Sequence, residues 1–343
     1  MTFRIALTGD FQKDEKIIYP DFDLTQLKAA SGIEYHFFTE HKSEIDPEQL
    51  KSFQGVIVLT PRVTSHSLSQ SQNLLAVSRF GVGYDGVDVS ACTKADVVLC
   101  TTVGAPDRPV AEATVGWMIA LGHRMIIKDK LFRKGLWNER SKYMGGELRD
   151  RTLGIIGLGG IGSVVIELLR SFGMKQPLVY DPFMDDNKAE NLGVKKVELQ
   201  ELMKLSDFIT LHCPLNEHTR NLISHSELDL MKSSSFIINT ARGGIINEDA
   251  LFNALSQKKI AGAALDCFND EPVIKPNRFS KLDNVILAPH SIAWTQELFR
   301  DMGKKCSQHM IDIANGIRPQ GVINPEVFDR PTFQEKWNAL NEK

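Results

Sequence analysis

Short apolar runs alternate with amphipathic stretches along most of the chain. Residues 3–7, 35–38, 56–59, 75–78 and 97–100 are mostly apolar and have the length of strands buried on both faces. Between them, residues 24–30, 47–53 and 89–95 carry helical patterns. Strands separated by helices at this spacing predict a parallel sheet with helices on both faces. Val110, Ala113, Thr114, Trp117, Met118 and Leu121 then recur at helical spacing, with Asp107 as the expected N-cap and Pro109 in the first turn. This helix is expected to lead from one domain to the next.

A second α/β series starts at Thr152, with strands expected at 153–156, 178–180, 208–211, 236–239, 261–265 and 285–287. Ser224 and Glu227 form a capping-box pattern ahead of a helix through Leu230. A last long helix, about 296–315, lies beyond this series and is expected to return to the first domain. The mixed-charge tail after Pro331 reads as a frayed end. There is no repeat of fixed period.

Composition narrows the class. The 343 residues are 42% hydrophobic, 24% charged and 8% aromatic, which excludes disordered, collagen-like and coiled-coil chains and suggests two domains. Forty Lys+Arg against forty-three Asp+Glu give a net charge of -3, so nothing in the overall charge favours nucleic acid or anionic membrane as a partner. The five cysteines are widely spaced and odd in number, which fits a reducing cytoplasm better than a disulfide scaffold. No C-x-x-C and no H-E-x-x-H occurs, so no sequence-local zinc site is expected and no metal is assigned. The N-terminus lacks the apolar core of a signal peptide, and the longest uncharged run, 152–166, is too short to span a bilayer. A soluble protein of the cytoplasm is expected.

The sharpest local signal is Gly157-Leu-Gly159-Gly160-Ile161-Gly162, placed after a predicted strand and opening a helix to about Phe172, with Gly173 as its C-cap. Glycines at these positions permit a tight turn, close approach of a pyrophosphate, and close helix–sheet packing. The helix N-terminus then presents free N–H groups to the phosphates. Asp181, nineteen residues after Gly162 and at the end of the next strand, can accept the ribose hydroxyls and would repel a 2′-phosphate. The cofactor read from this pattern is NAD, with FAD or S-adenosylmethionine as the remaining options. Because some 150 residues precede the motif, the nucleotide domain is expected to be inserted into a discontinuous one.

Three polar residues follow later strands of the same series: Arg242 in Asn239-Thr-Ala-Arg-Gly-Gly244, Glu271 in Asp270-Glu-Pro272, and His290 in Ala288-Pro-His290. Open α/β sheets bind ligands at the carboxyl ends of their strands, so the three are expected to converge. An arginine fork can hold a carboxylate and polarise a carbonyl, a histidine can exchange a proton, and a glutamate can fix the imidazole tautomer. Taken alone, such an arginine is more often a surface residue or a structural partner and such a glutamate a turn residue, while the histidine after Pro289 stands at even odds.

Together these motifs resemble the D-isomer-specific 2-hydroxyacid dehydrogenases, among them glyoxylate/hydroxypyruvate reductases and phosphoglycerate dehydrogenases. The resemblance runs from about Leu75 to Asn324. Its landmarks are Gly81-Val-Gly83-Tyr-Asp85, Val110-Ala-Glu112, the turn 157–162, His212-Cys-Pro-Leu215, Thr240-Ala-Arg-Gly-Gly244, Ala264-Leu-Asp266, Asp270-Glu-Pro272 and Pro289-His290. It implies a Rossmann NAD-binding domain, 104–290, inserted into a flavodoxin-like α/β substrate domain built from 1–103 and 291–330. It implies His290 as acid/base, Glu271 as its partner, and Arg242 on the substrate carboxylate and carbonyl. Cys213 would lie beside the adenosine, Thr240, Ala241 and Asp266 would hold the nicotinamide carboxamide, and Val82 and Gly83 would contact substrate.

The implied activity is NAD(H)-dependent interconversion of a small 2-oxo acid and its D-2-hydroxy acid, with domain closure across hinges near 101–104 and 291–295. The family is usually dimeric through the nucleotide domain, leaving Trp117 and Met118 either at that interface or in ordinary core. An NAD-sensing co-regulator of the same fold, or a relative oxidising a non-carbon substrate such as phosphite, is the alternative. Two departures bear on the substrate. Arg108 could reach an acidic substrate group or be exposed, and the bulky Trp294 could narrow the pocket mouth or pack between domains.

Overall fold

Short, mostly apolar runs form the central strands of both parallel sheets, because parallel strands covered on both faces need no polar side. The computed structural model describes residues 2–341. The chain folds into two compact units, Met1–Pro106 with Trp294–Lys343, and Asp107–Ala293.

The first unit holds β1 (Phe3–Leu7), a small hairpin of β2 (Gln12–Lys13) and β3 (Lys16–Ile17), then β4 (Ile33–Phe37), β5 (Gly55–Val58), β6 (Ala76–Arg79) and β7 (Val98–Thr101). Its parallel sheet has the order β4-β1-β5-β6-β7, in which the first strand lies second, the flavodoxin-like arrangement. Short helices α1 (Thr25–Ala29), α2 (Pro47–Leu50) and α3 (Val89–Lys94) connect these strands. On one face Ile5, Leu7, Leu75 and Val98 pack with Met302, Cys306 and Met310; on the other Val56, Val58, Val77 and Leu99 pack with Leu50 and Cys92.

The second unit begins with α4 (Asp107–Gly122) and α5 (Met125–Arg133). Its strands are β8 (Leu153–Ile156), β9 (Leu178–Tyr180), β10 (Lys195–Lys196), β11 (Phe208–Leu211), β12 (Phe236–Asn239), β13 (Gly262–Leu265) and β14 (Val285–Leu287). They form one parallel sheet, β10-β9-β8-β11-β12-β13-β14. The order reverses between β8 and β11, a topological switch point that opens a crevice at the strand carboxyl ends. The connecting helices are α6 (Gly160–Leu169), α7 (Asp186–Leu192), α8 (Leu199–Leu205), α9 (His225–Asp229) and α10 (Glu248–Ser256). The Ser224–Glu227 capping box is formed at α9. The chain then returns to the first unit as α11 (Gln296–Ala314) and α12 (Pro331–Asn341).

Two expectations are corrected, and one alternative left open is resolved. The tail after Pro331 is not frayed: Phe333 of α12 is fully buried against Phe328, and the indole N–H of Trp337 donates to the Ile313 carbonyl at 2.7 Å. Two aromatic residues four apart anchor a helix whose other residues are mostly polar. Asp107 is the first residue of α4 and does not precede it. Trp117 and Met118 are both buried in the core around β8, with Leu153, Val165 and Ile238, so they do not form an outward face of this chain.

Candidate active site

The turn after β8 is built for close approach. Gly157 has φ +90°, and a Cβ there would lie 2.7 Å from the amide nitrogen of Cys213, so the turn abuts the loop that follows β11. α6 starts at Gly160 with Gly159 as N-cap and no side-chain cap, and nothing stands within 4 Å of where a Cβ of Gly159 would be. A helix N-terminus whose N-cap makes no side-chain bond suits a pyrophosphate, although the Asp107 carboxylate lies against Gly160, where a Cβ would overlap it. Ile161 and Gly162 complete this first turn, with Gly162 against the Gly157 carbonyl.

Asp181 lies just past β9. One carboxylate oxygen accepts the Leu158 amide at 2.8 Å and the other the Phe183 amide at 2.9 Å. Lys188 of α7, which sequence reasoning passed over, donates its Nζ to the Leu158 carbonyl at 2.5 Å. It lies seven residues beyond Asp181. A cation on the nucleotide turn is invisible to a motif search because α7 brings it there through the fold. Cys213 is half-buried, and burial pushes its thiol up to about 11.

The loop after β12 is pinned by the buried Asn239. Its side chain accepts the Ala241 amide at 3.0 Å and donates to the Arg242 carbonyl at 2.7 Å. Thr240 sits with its hydroxyl 3.3 Å from that of Thr114 on α4. A Cβ at Gly243 would overlap the Phe268 carbonyl, so glycine lets the Arg242 loop lie directly on the loop after β13.

Glu271 bridges that second loop to the third. Its Oε1 accepts the Phe268 amide at 2.8 Å, and its Oε2 lies 2.6 Å from Nδ1 of His290. A carboxylate can only accept, so Nδ1 carries the hydrogen. Burial pushes the Glu271 carboxyl up, but the His290 hydrogen bond and charge, the Phe268 amide and the Arg242 charge together outweigh it and hold the group below its ordinary value.

His290 has φ +51°, an uncommon backbone for histidine. Its amide donates to the Asp266 carbonyl at 2.8 Å, while Oδ1 of Asp266 accepts the next two amides, Ser291 at 2.9 Å and Ile292 at 3.2 Å. Asp266 is buried, and burial raises its carboxyl against those two amides and the His290 charge, with Glu271 adding to the rise. One oxygen expected to face the nicotinamide carboxamide is thus engaged by the His290 loop. This clamp was not legible from the motif.

Arg242, Glu271 and His290 therefore stand on three adjoining loops at the ends of β12, β13 and β14. Val82 and Gly83 belong to the first unit, where their half-buried loop follows β6 and is tied through Gly81 to Thr102 by bonds of 3.1 and 3.0 Å. Arg108 is exposed and paired with Glu112. Trp294 packs edge-on to Tyr19 and Phe299 within the first unit, with centroids 5.6 and 5.3 Å away. Among the described residues no helix is long and apolar enough to cross a membrane.

Comparison with known proteins adds a relationship to this geometry. The sequence model described as the D-isomer specific 2-hydroxyacid dehydrogenase, NAD binding domain, matches residues 115–291. The chain is 33% identical over 305 residues to a D-3-phosphoglycerate dehydrogenase of Archaeoglobus fulgidus, covering 89% of this chain and 58% of that protein. It thus spans little more than half the length of that relative. A glyoxylate reductase of Korarchaeum cryptofilum is 32% identical over 320 residues, covering 90% of this chain and 96% of the relative. Among solved structures, a D-lactate dehydrogenase from Aquifex aeolicus complexed with NAD and lactic acid superposes with a TM-score of 0.79 at 27% identity, covering 91% of this chain and 96% of that one. The second unit is an NAD-binding Rossmann domain, and the chain belongs to the D-isomer specific 2-hydroxyacid dehydrogenase family.

Proposed function

We propose that the protein is an NAD(H)-dependent oxidoreductase that interconverts a small 2-oxo acid and its D-2-hydroxy acid, with glyoxylate and hydroxypyruvate as first candidates. The observation that carries this reading is the 2.6 Å bond between His290 and Glu271, on loops adjoining that of Arg242. With Nδ1 committed to the carboxylate, Nε2 is the nitrogen that exchanges a proton. Bound NAD(H) supplies or accepts the hydride at the substrate carbon. His290 protonates the oxygen during reduction and takes the proton during oxidation. Glu271 stabilises the imidazolium, and Arg242 binds the carboxylate and the developing negative charge.

The nucleotide turn is the proposed seat of the cofactor phosphates, with Cys213 beside the adenosine and Thr240 and Ala241 near the nicotinamide. Asp181, held rigidly by two amides, is the proposed basis for NAD over NADP. A homodimer is proposed through the segment 125–144, where Met125, Ile126, Phe132, Trp137 and Met144 are all exposed and α5 buries no residue of its own. The substrate reading is tested by NADH oxidation against a panel of 2-oxo acids. Turnover of at least one is expected. Tight NADH binding with no turnover of any would favour a cofactor-sensing protein of the same fold.

A further inference from the structure

Cys267 lies between the Asp266 clamp and the loop that carries Glu271. Its sulfur donates to the Ala241 carbonyl at 3.4 Å. One donor atom each from Cys267, Glu271 and His290 lie within 4.8 Å of one another. These are a sulfur, a carboxylate oxygen and an imidazole nitrogen, three ligand types that zinc accepts together. With bonds of roughly 2.0–2.3 Å, tetrahedral zinc ligands stand about 3.3–3.7 Å apart, so shifts on the order of 1 Å would bring the donors to bonding distance. Cys267 is 4% exposed, whereas the side chains of His290 and Glu271 are 45% and 33% exposed, which leaves an approach from the side of that pair. Donors four and nineteen residues apart in sequence escape any search for paired cysteines.

We propose that Cys267, Glu271 and His290 form a site for a zinc-class divalent cation, and that its occupation arrests the enzyme. The thiolate favours zinc, cobalt or cadmium over magnesium or calcium. Binding releases the thiol proton to solvent, and any proton on the ligating imidazole nitrogen passes to the other ring nitrogen or to solvent; the carboxylate stays ionised and there is no redox change. It ties up the imidazole and carboxylate that proton exchange requires. Arrest rests on the reading of His290 as acid/base; the site itself does not.

The test is titration of the full chain with Zn2+ and, separately, Co2+ in buffer free of chelators and thiols, followed by calorimetry and near-ultraviolet absorption. The expected result is one equivalent bound, a thiolate-to-cobalt charge-transfer band, and inhibition of turnover that EDTA reverses. Cys267→Ala should abolish the band, weaken Zn2+ binding by roughly tenfold or more, and keep the activity measured without metal. Cys267→Ser serves the same purpose if the alanine variant does not fold. No zinc binding by the wild type, or a band that survives both substitutions, would overturn the site. Cobalt bound through Cys267 without inhibition would keep the site and remove the acid/base reading. Absence of binding in a protein whose turnover is lost in His290→Ala would do the reverse.

Discussion

The carboxylate of Asp266 accepts the amide of Ser291 at 2.9 Å, steering the backbone one residue beyond His290. A left-handed histidine costs on the order of 1 kcal/mol or more and persists only where its neighbours over-determine it. Asp266→Ala leaves two amides without their acceptor, a loss of about 1–3 kcal/mol. The expected outcome is a lower Tm together with a kcat reduced by roughly tenfold or more, while NADH affinity changes less. Steady-state kinetics and thermal unfolding on the same preparation check it. An unchanged kcat would mean that the clamp does not place the imidazole.

Glu271 and His290 give a pH signature. Because the Glu271 carboxyl is held below its ordinary value, its stabilising contribution is complete above pH about 4.3 and is lost as pH falls through the folded-state value. Glu271→Gln removes that acid-sensitive contribution. It also removes the charged acceptor that fixes the His290 ring through Nδ1, so kcat for reduction should fall while NADH affinity changes less. His290→Ala should lower kcat by about 10²–10⁴. Near-normal turnover in that variant would end the acid/base assignment.

Asp181 is the proposed basis of the cofactor preference. Asp181→Ala should lower the ratio of kcat/KM with NADH to that with NADPH by roughly tenfold, equivalent to about 1.4 kcal/mol. The measurement is paired kinetics with the two reduced cofactors. A ratio that does not move would show that the carboxylate only braces the turn through Leu158 and Phe183.

His309 of α11, in the first unit, offers a separate probe of stability. It is 4% exposed, with Nδ1 2.8 Å from the Ser78 hydroxyl, and burial pushes it down to about 4, with the Lys305 charge contributing. Between pH about 6.5 and 4 the unfolded chain takes up a proton that the fold resists, so this histidine contributes a stability loss of roughly 3 kcal/mol on acidification. Denaturant unfolding at pH 7 and 4.5 should show a flatter acid limb for His309→Gln than for the wild type.

Most strands of the second sheet were legible because they are short, largely buried apolar runs set off by glycine or polar residues, as at Leu153–Ile156 and Phe236–Asn239. The edge strand Lys195–Lys196 was not, since two exposed lysines carry no burial pattern. Nor was α12, where Phe333 and Trp337 outweigh the polar residues around them. In the site, Arg242, Glu271 and His290 could be found because strand ends in such a sheet must converge. The Asp266 clamp, Lys188 on the turn and Cys267 beside the pair could not. Each depends on how one loop lies on another, which no spacing records.

His290 hangs from β14, the last strand of its sheet, hydrogen-bonded to β13 on one side only. An edge strand of three residues is among the first elements to open in local fluctuations. Its detachment would carry away the imidazole and leave the other strands paired. Warming or mild denaturant should therefore silence the protein at conditions where its far-ultraviolet spectrum still reads as folded, so that activity, and not bulk structure, marks its working limit.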